Sequence, residues 1–145
     1  ITTMNETDRE KIEPFGSKSI DRFNMLKEFR KTNASVGLHT MPIIPHITDG
    51  YSNIENLCSE AKRVGVHYML PGVLYLRGAS RKVFFEFIKS NYSEKFDNIA
   101  ALYKTGGADK AYKENLYSQI VNPLREKYGI SNSYIKPLKE KMHKI

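Results

Sequence analysis

The chain has 145 residues, with 23 Lys and Arg against 16 Asp and Glu, and a net charge of +7. That length holds about one domain, and 40% hydrophobic content is too apolar for a disordered chain. A single cysteine excludes a disulfide framework and a thiolate cluster, and no apolar run reaches the roughly 20 residues that span a bilayer. These features predict a soluble protein of a reducing compartment, the cytoplasm, with no membrane partner. The basic balance favours anionic partners, DNA or RNA among them. However, the cations are scattered, with an excess only in the tail "YIKPLKEKMHKI", and no zinc-finger or RNP signature accompanies them.

Taken in order, residues 1–4 ("ITTM") are largely β-branched and predict a strand. "EPFGSKS" (13–19) is a loop ending in serines suited to a helix N-cap. From Ile20 the apolar positions Phe23, Leu26 and Phe29 recur at helical spacing. "VGLHTMPII" (36–44) predicts a strand, with Pro42 confined to its end and His39 a satisfied mid-strand histidine. In the turn "ITDGYS", Asp49 before Gly50 is read first as capping its own backbone and second as a substrate contact. Ser52 and Glu55 form a capping box for a helix whose face is Ile54, Leu57, Cys58 and Ala61, ended by Gly65. Cys58 is thereby a small core residue.

"VHYML" (66–70) predicts the next strand, halted by Pro71-Gly72, and "VLYL" (73–76) extends the apolar stretch beyond them. Ser80 is a cap for a helix with inner face Val83, Phe84, Phe87 and Ile88. Past residue 91 the pattern turns helical: "SEKFDNIAALYK", a "TGGAD" turn, and "KAYKENLYSQIVNPLREKY" with an irregularity near Pro123. The tyrosines of this region (Tyr103, Tyr112, Tyr117, Tyr128 and Tyr134) fit helix packing better than base stacking.

Strands alternating with helices predict an α/β fold of about three parallel strands in residues 1–91, followed by a helical extension over 92–145 with a basic tail, a candidate disordered segment. Three parallel strands alone leave both edges exposed. The expectation is therefore a piece of a larger sheet, whose edge at residues 1–4 pairs with earlier strands or with a second copy of the chain.

Three segments carry a family resemblance. "ITTMNETDREKIEPFGSKSIDRFNMLKEFRK" resembles the mid-barrel "S-I-T-T … E-P … R … L" segment of radical S-adenosylmethionine enzymes, and most closely the spore photoproduct lyase-like proteins labelled DNA repair photolyases. "VGLHTMPIIPHITD" is similar to their following strand, "V-x-x-x-P-I-I-P-G-L-N-D", and "AKRVGVHYMLPGVLYLRGASRKVFFEFI" to the next helix, strand and "G-A" turn. The resemblance covers roughly residues 1 to 130. It implies the C-terminal half of a partial TIM-like barrel of six β/α units.

In that family a 4Fe–4S cluster held by Cys-x3-Cys-x2-Cys cleaves S-adenosylmethionine to a radical that abstracts hydrogen from substrate. The cysteine motif is absent here, so the resemblance implies a fragment inactive alone, contributing to a parent enzyme's cofactor and substrate site. By matched position, Thr3 and Asn5 are ribose candidates. Ile43 or Ile44 is the adenine floor, with Pro45 beside them a further cofactor-binding candidate, and Leu70 and Pro71 bring backbone to the purine edge. His46, where the pattern has Gly, and Arg77, after the last core strand, are substrate candidates. The alternative is a basic α/β nucleic-acid-binding module without catalysis.

Overall fold

The computed structural model describes residues 1–142, with side chains through Lys139; the rest of the basic tail lies outside the described residues. The first helix, α1 (Glu6–Ile12), has no apolar stripe to announce it and was not anticipated. Asn5 starts it by accepting the Asp8 amide on its side chain at 3.1 Å, with Glu6 and Asp8 in the first turn. Arg9 is buried and braces the following loop. Its Nε donates to Glu6 at 2.6 Å, and its Nη1 to the carbonyls of Glu13 and Gly16 at 3.1 and 2.7 Å. The next helix, α2 (Ser19–Phe29), buries Phe23 as its spacing predicts, whereas Phe29 is exposed.

Strand β1 (Gly37–Ile43) falls within the expected 36–44, burying Leu38, Thr40 and Ile43 and exposing His39 and Met41. Helix α3 (Tyr51–Val64) follows, then strand β2 (Tyr68–Val73), which pairs with β1 in parallel from Gly37–Tyr68 to Ile43–Val73. The register shifts between Thr40 and Ile43, across the cis Met41–Pro42 bond, where Pro42 has no N–H for the ladder. β2 does not halt at Leu70 but runs through Pro71-Gly72, since each strand of a two-stranded sheet is an edge that tolerates proline.

Among the described residues the expected third strand is absent: residues 1–4 lie beside β1 without forming a ladder. The Ile1 nitrogen donates to the His39 carbonyl at 2.9 Å, but the next main-chain groups are engaged elsewhere. Asn53 takes the Thr2 carbonyl and the Met4 amide, and Ser19 takes the Thr3 carbonyl. The fold is thus mixed α/β around a two-stranded parallel sheet.

In α3 the predicted face is buried: Ile54, Leu57, Cys58 and Ala61, with Val64. The predicted Ser52–Glu55 capping box does not form. Gly50 is the N-cap, and Glu55 instead accepts from Lys127 at 2.6 Å, which holds its carboxyl below the usual range. Gly65 ends the helix in the left-handed conformation, φ 76°, as predicted.

Helix α4 (Ala79–Asn91) starts after Gly78, with Ser80 bonded to the Arg77 backbone; of its predicted inner face Ile88 is fully buried and Val83 is exposed. The chain continues through a short 3₁₀ turn into α5 (Phe96–Leu102) and α6 (Lys110–Leu116), whose N-cap is Asp109. A π turn over Tyr117–Val121 leads into α7 (Asn122–Lys127), which accounts for the irregularity foreseen near Pro123. The last helix is α8 (Ile135–Met142).

Two cores result. One joins Phe23, Leu38, Leu57, Cys58 and Met69 to Leu116, Val121 and Leu124; the other joins Leu76 and Ile88 to Ile99 and Tyr103. Residues on both sides of the 91/92 boundary therefore enter each core. Within β1, the Thr40 hydroxyl is buried with no hydrogen-bond partner among the described residues. No described helix is long and apolar enough to cross a membrane.

Cys58 lies in the first core with its Sγ 3.7 Å from the Met69 sulfur, and burial pushes its thiol up to about 11. An unfolded thiol ionises near ~8.5, so the neutral buried form ceases to favour folding as pH climbs from that value towards 11. At pH 8 the native chain should resist a disulfide-exchange reagent and react stoichiometrically once denatured. Rapid labelling of the native protein would contradict the placement of Cys58.

Candidate functional site at the strand ends

Parallel α/β sheets bind ligands beyond the C-terminal ends of their strands, which here are Ile43 and Val73. The segment after β1 is folded by its own side chains. Thr48 Oγ1 accepts from the Ile44 amide at 2.8 Å, while the Ile47 and Thr48 amides return to the Ile44 carbonyl at 3.1 and 2.9 Å. The tight turn places His46 at φ 62°, a left-handed conformation that glycine adopts without strain. The His46 carbonyl accepts from Lys95 at 2.9 Å, and its exposed ring stands 6.5 Å from that of Tyr112.

One side chain ties this turn to the rest. Asn53 Nδ2 donates to the carbonyls of Thr48 and Thr2 at 2.8 and 3.0 Å. Its Oδ1 accepts from Thr3 Oγ1 and the Met4 amide at 3.0 and 2.9 Å. All four bonding positions of the amide are used.

The helical extension reaches the same end of the sheet through its tyrosines. Tyr103 donates to the Leu74 carbonyl at 2.9 Å, Tyr117 to the Pro71 carbonyl at 3.3 Å and Tyr112 to the Asp49 carboxylate at 2.7 Å. Burial first, and then the Asp49 bond, drives the Tyr112 phenol far above its ordinary pKa. Asp49 therefore does not cap its own backbone: it receives Tyr112, while Gly50 opens α3.

Beside the strand ends runs an apolar groove of about 530 Å³, walled by Pro42 and Ile44 on one side and by Leu74, Leu76, Phe84 and Phe87 on the other. Of the sequence-selected residues only Ile44 lines it, as a buried side chain 3% exposed. Ile43 is fully buried in the first core, and Pro45 is also buried. Thr3 is engaged by Asn53, and Asn5 caps α1. Leu70 is half-buried within β2, and the Pro71 carbonyl is occupied by Tyr117. His46 and Arg77 are exposed and do not line the groove. Phe84 and Phe87 were legible as a helix face, but nothing in their spacing said that this face borders the strand ends.

The residues present do not fit an iron–sulfur cluster. Cys58, the sole cysteine, is inside the core, and no described group of three His, Cys, Asp or Glu could hold a metal ion. Fold and groove together define a mixed α/β protein with an apolar recess at the ends of a parallel strand pair. Comparison of the chain with family models, curated proteins and solved structures gave no match.

A left-handed conformation costs an L-residue about 1–2 kcal/mol. His46→Gly should therefore be more stable than His46→Ala by roughly 1 kcal/mol in urea unfolding, after allowing for the greater freedom of unfolded glycine. Equal stabilities, or a more stable alanine variant, would contradict the turn described.

Proposed function

We propose that the chain is the C-terminal half of a radical S-adenosylmethionine enzyme's partial barrel, of the spore photoproduct lyase-like kind. On this reading it supplies part of the cofactor and substrate site. The supporting observation is the apolar groove, one wall of which is Pro42 and Ile44 from the "MPIIPH" segment that carries the resemblance. Its volume of about 530 Å³ lies within the range of small-ligand sites, and its apolar walls suit the faces of a purine. Ile44, rather than Ile43, is then the residue of the proposed adenine floor that meets the ligand. The left-handed backbone at His46 agrees with a pattern that has glycine there.

S-adenosylmethionine, bound at a cluster held by another part of the parent, supplies the radical chemistry. This chain's own part is to bind and orient the adenosine end and to exclude water from it. Thr3 and Asn5 support the rim through Asn53 and α1 and are not needed as ribose ligands in this reading. DNA is the proposed substrate class by resemblance, and cytoplasmic location belongs to the same reading.

The parent polypeptide, expressed with its upstream coding sequence and reconstituted anaerobically with iron and sulfide, should release 5′-deoxyadenosine from S-adenosylmethionine when reduced. Val83→Arg, an exposed change at the groove, should lower that release about tenfold without unfolding the protein. The isolated chain should bind S-adenosylmethionine negligibly by calorimetry. An upstream sequence without the cysteine triad, or a reconstituted parent that forms no 5′-deoxyadenosine, would overturn the proposal.

A further inference from the structure

A second recess lies at the other end of the sheet, against the entry to β2 and between α7 and α8. It encloses about 660 Å³, and its walls include Asn122, Arg125, Ser131, Asn132 and Lys136. Arg125 is the informative residue. It is half-buried, and no carboxylate lies within ion-pair distance among the described residues. A guanidinium has five N–H donors. The hydrogen bonds of Arg125 among the described residues are one from Nη1 to the Met69 carbonyl at 3.3 Å and one from Nη2 to Asn122 Oδ1 at 2.5 Å.

Neutral acceptors leave the charge of a partly desolvated cation uncompensated, and burial pulls the Arg125 pKa below its ordinary value. The other cation on the wall among the described residues is Lys136 in the first turn of α8, where the helix dipole also favours an anion. Opposing them is one carboxylate, Glu126, and His67 lies at the margin with its Nδ1 accepting the Val36 amide at 2.9 Å. Among the described residues, polar donors, two cations against one anion, and space for a small molecule occur together.

We propose that this recess binds a phosphate group, held by the planar fork of Arg125 and the ammonium of Lys136, with Asn122, Ser131 and Asn132 available to an attached polar body. The fork geometry of arginine matches a phosphate through paired N–H bonds, which a lysine alone does not provide. This site is separate from the groove at the C-terminal strand ends, and it stands whether or not that groove accepts S-adenosylmethionine.

The test is titration of the chain with inorganic phosphate and with AMP, against chloride at matched ionic strength, read by calorimetry and melting temperature. Both probes should bind saturably and raise the melting temperature where chloride does not. Phosphate equal to AMP identifies the free oxyanion as the ligand, and AMP about tenfold tighter identifies a phosphate monoester; either supports the site. Lys136→Gln, an exposed change that leaves the fold intact, should weaken both about tenfold, and Arg125→Gln should abolish both. No saturable binding beyond the chloride control, or unchanged affinity in Lys136→Gln, would overturn the proposal even if Arg125→Gln fails to fold.

Discussion

The Asn53 side chain is the constraint on which the rim of this protein depends. It projects from the first turn of α3 and joins residues 2–4, the turn after β1 and the helix itself in one saturated set of hydrogen bonds. A buried or half-buried amide left unpaired costs about 1–3 kcal/mol per group, so the set is much more stable complete than partial. Beside it, Ser19 accounts for "ITTM" not being a strand. With the Ile1 nitrogen on β1, the next residue that a ladder would use is Thr3, whose carbonyl accepts from Ser19 instead. The Thr2 carbonyl and Met4 amide face the other way, to Asn53, and the Thr2 hydroxyl donates to the Pro42 carbonyl.

The same end of the sheet is closed from the other side by the helical extension. Tyr103, Tyr112 and Tyr117 each present a hydroxyl to a strand-end carbonyl or to Asp49, so apolar ring burial and polar satisfaction are achieved by one residue type. The extension is therefore structural support for the strand ends as well as a cover for the sheet. What remains open there is the groove between Ile44 and the Phe84–Phe87 face, and this remnant gives the proposed adenosine-binding role its physical content.

Much of the secondary structure was legible because its signals are local. The face Ile54–Leu57–Cys58–Ala61, the left-handed Gly65 and the disturbance before Pro123 each follow from spacing or from the backbone chemistry of one residue. The errors arose where a distant partner overrode a local preference. Asp49 had the composition of a self-capping turn residue, but Tyr112, distant in sequence, holds its carboxylate. Glu55 had the spacing of a capping box, but Lys127 claims it. At the candidate site, of the two isoleucines that position alone left open, Ile44 borders the groove while Ile43 enters the core, as side chains of adjacent extended residues face opposite ways. The recess around Arg125 was not legible at all, because it combines residues from α7, α8 and the approach to β2.

The most direct test of the account is hydrogen exchange at the Met4 amide in Asn53→Ala, combined with urea unfolding. The account predicts loss of Met4 protection and a destabilisation of roughly 2–4 kcal/mol, the sum of several modest hydrogen bonds and the groups left unpaired. Retained Met4 protection with wild-type stability would contradict the claim that Asn53 organises the strand-end rim.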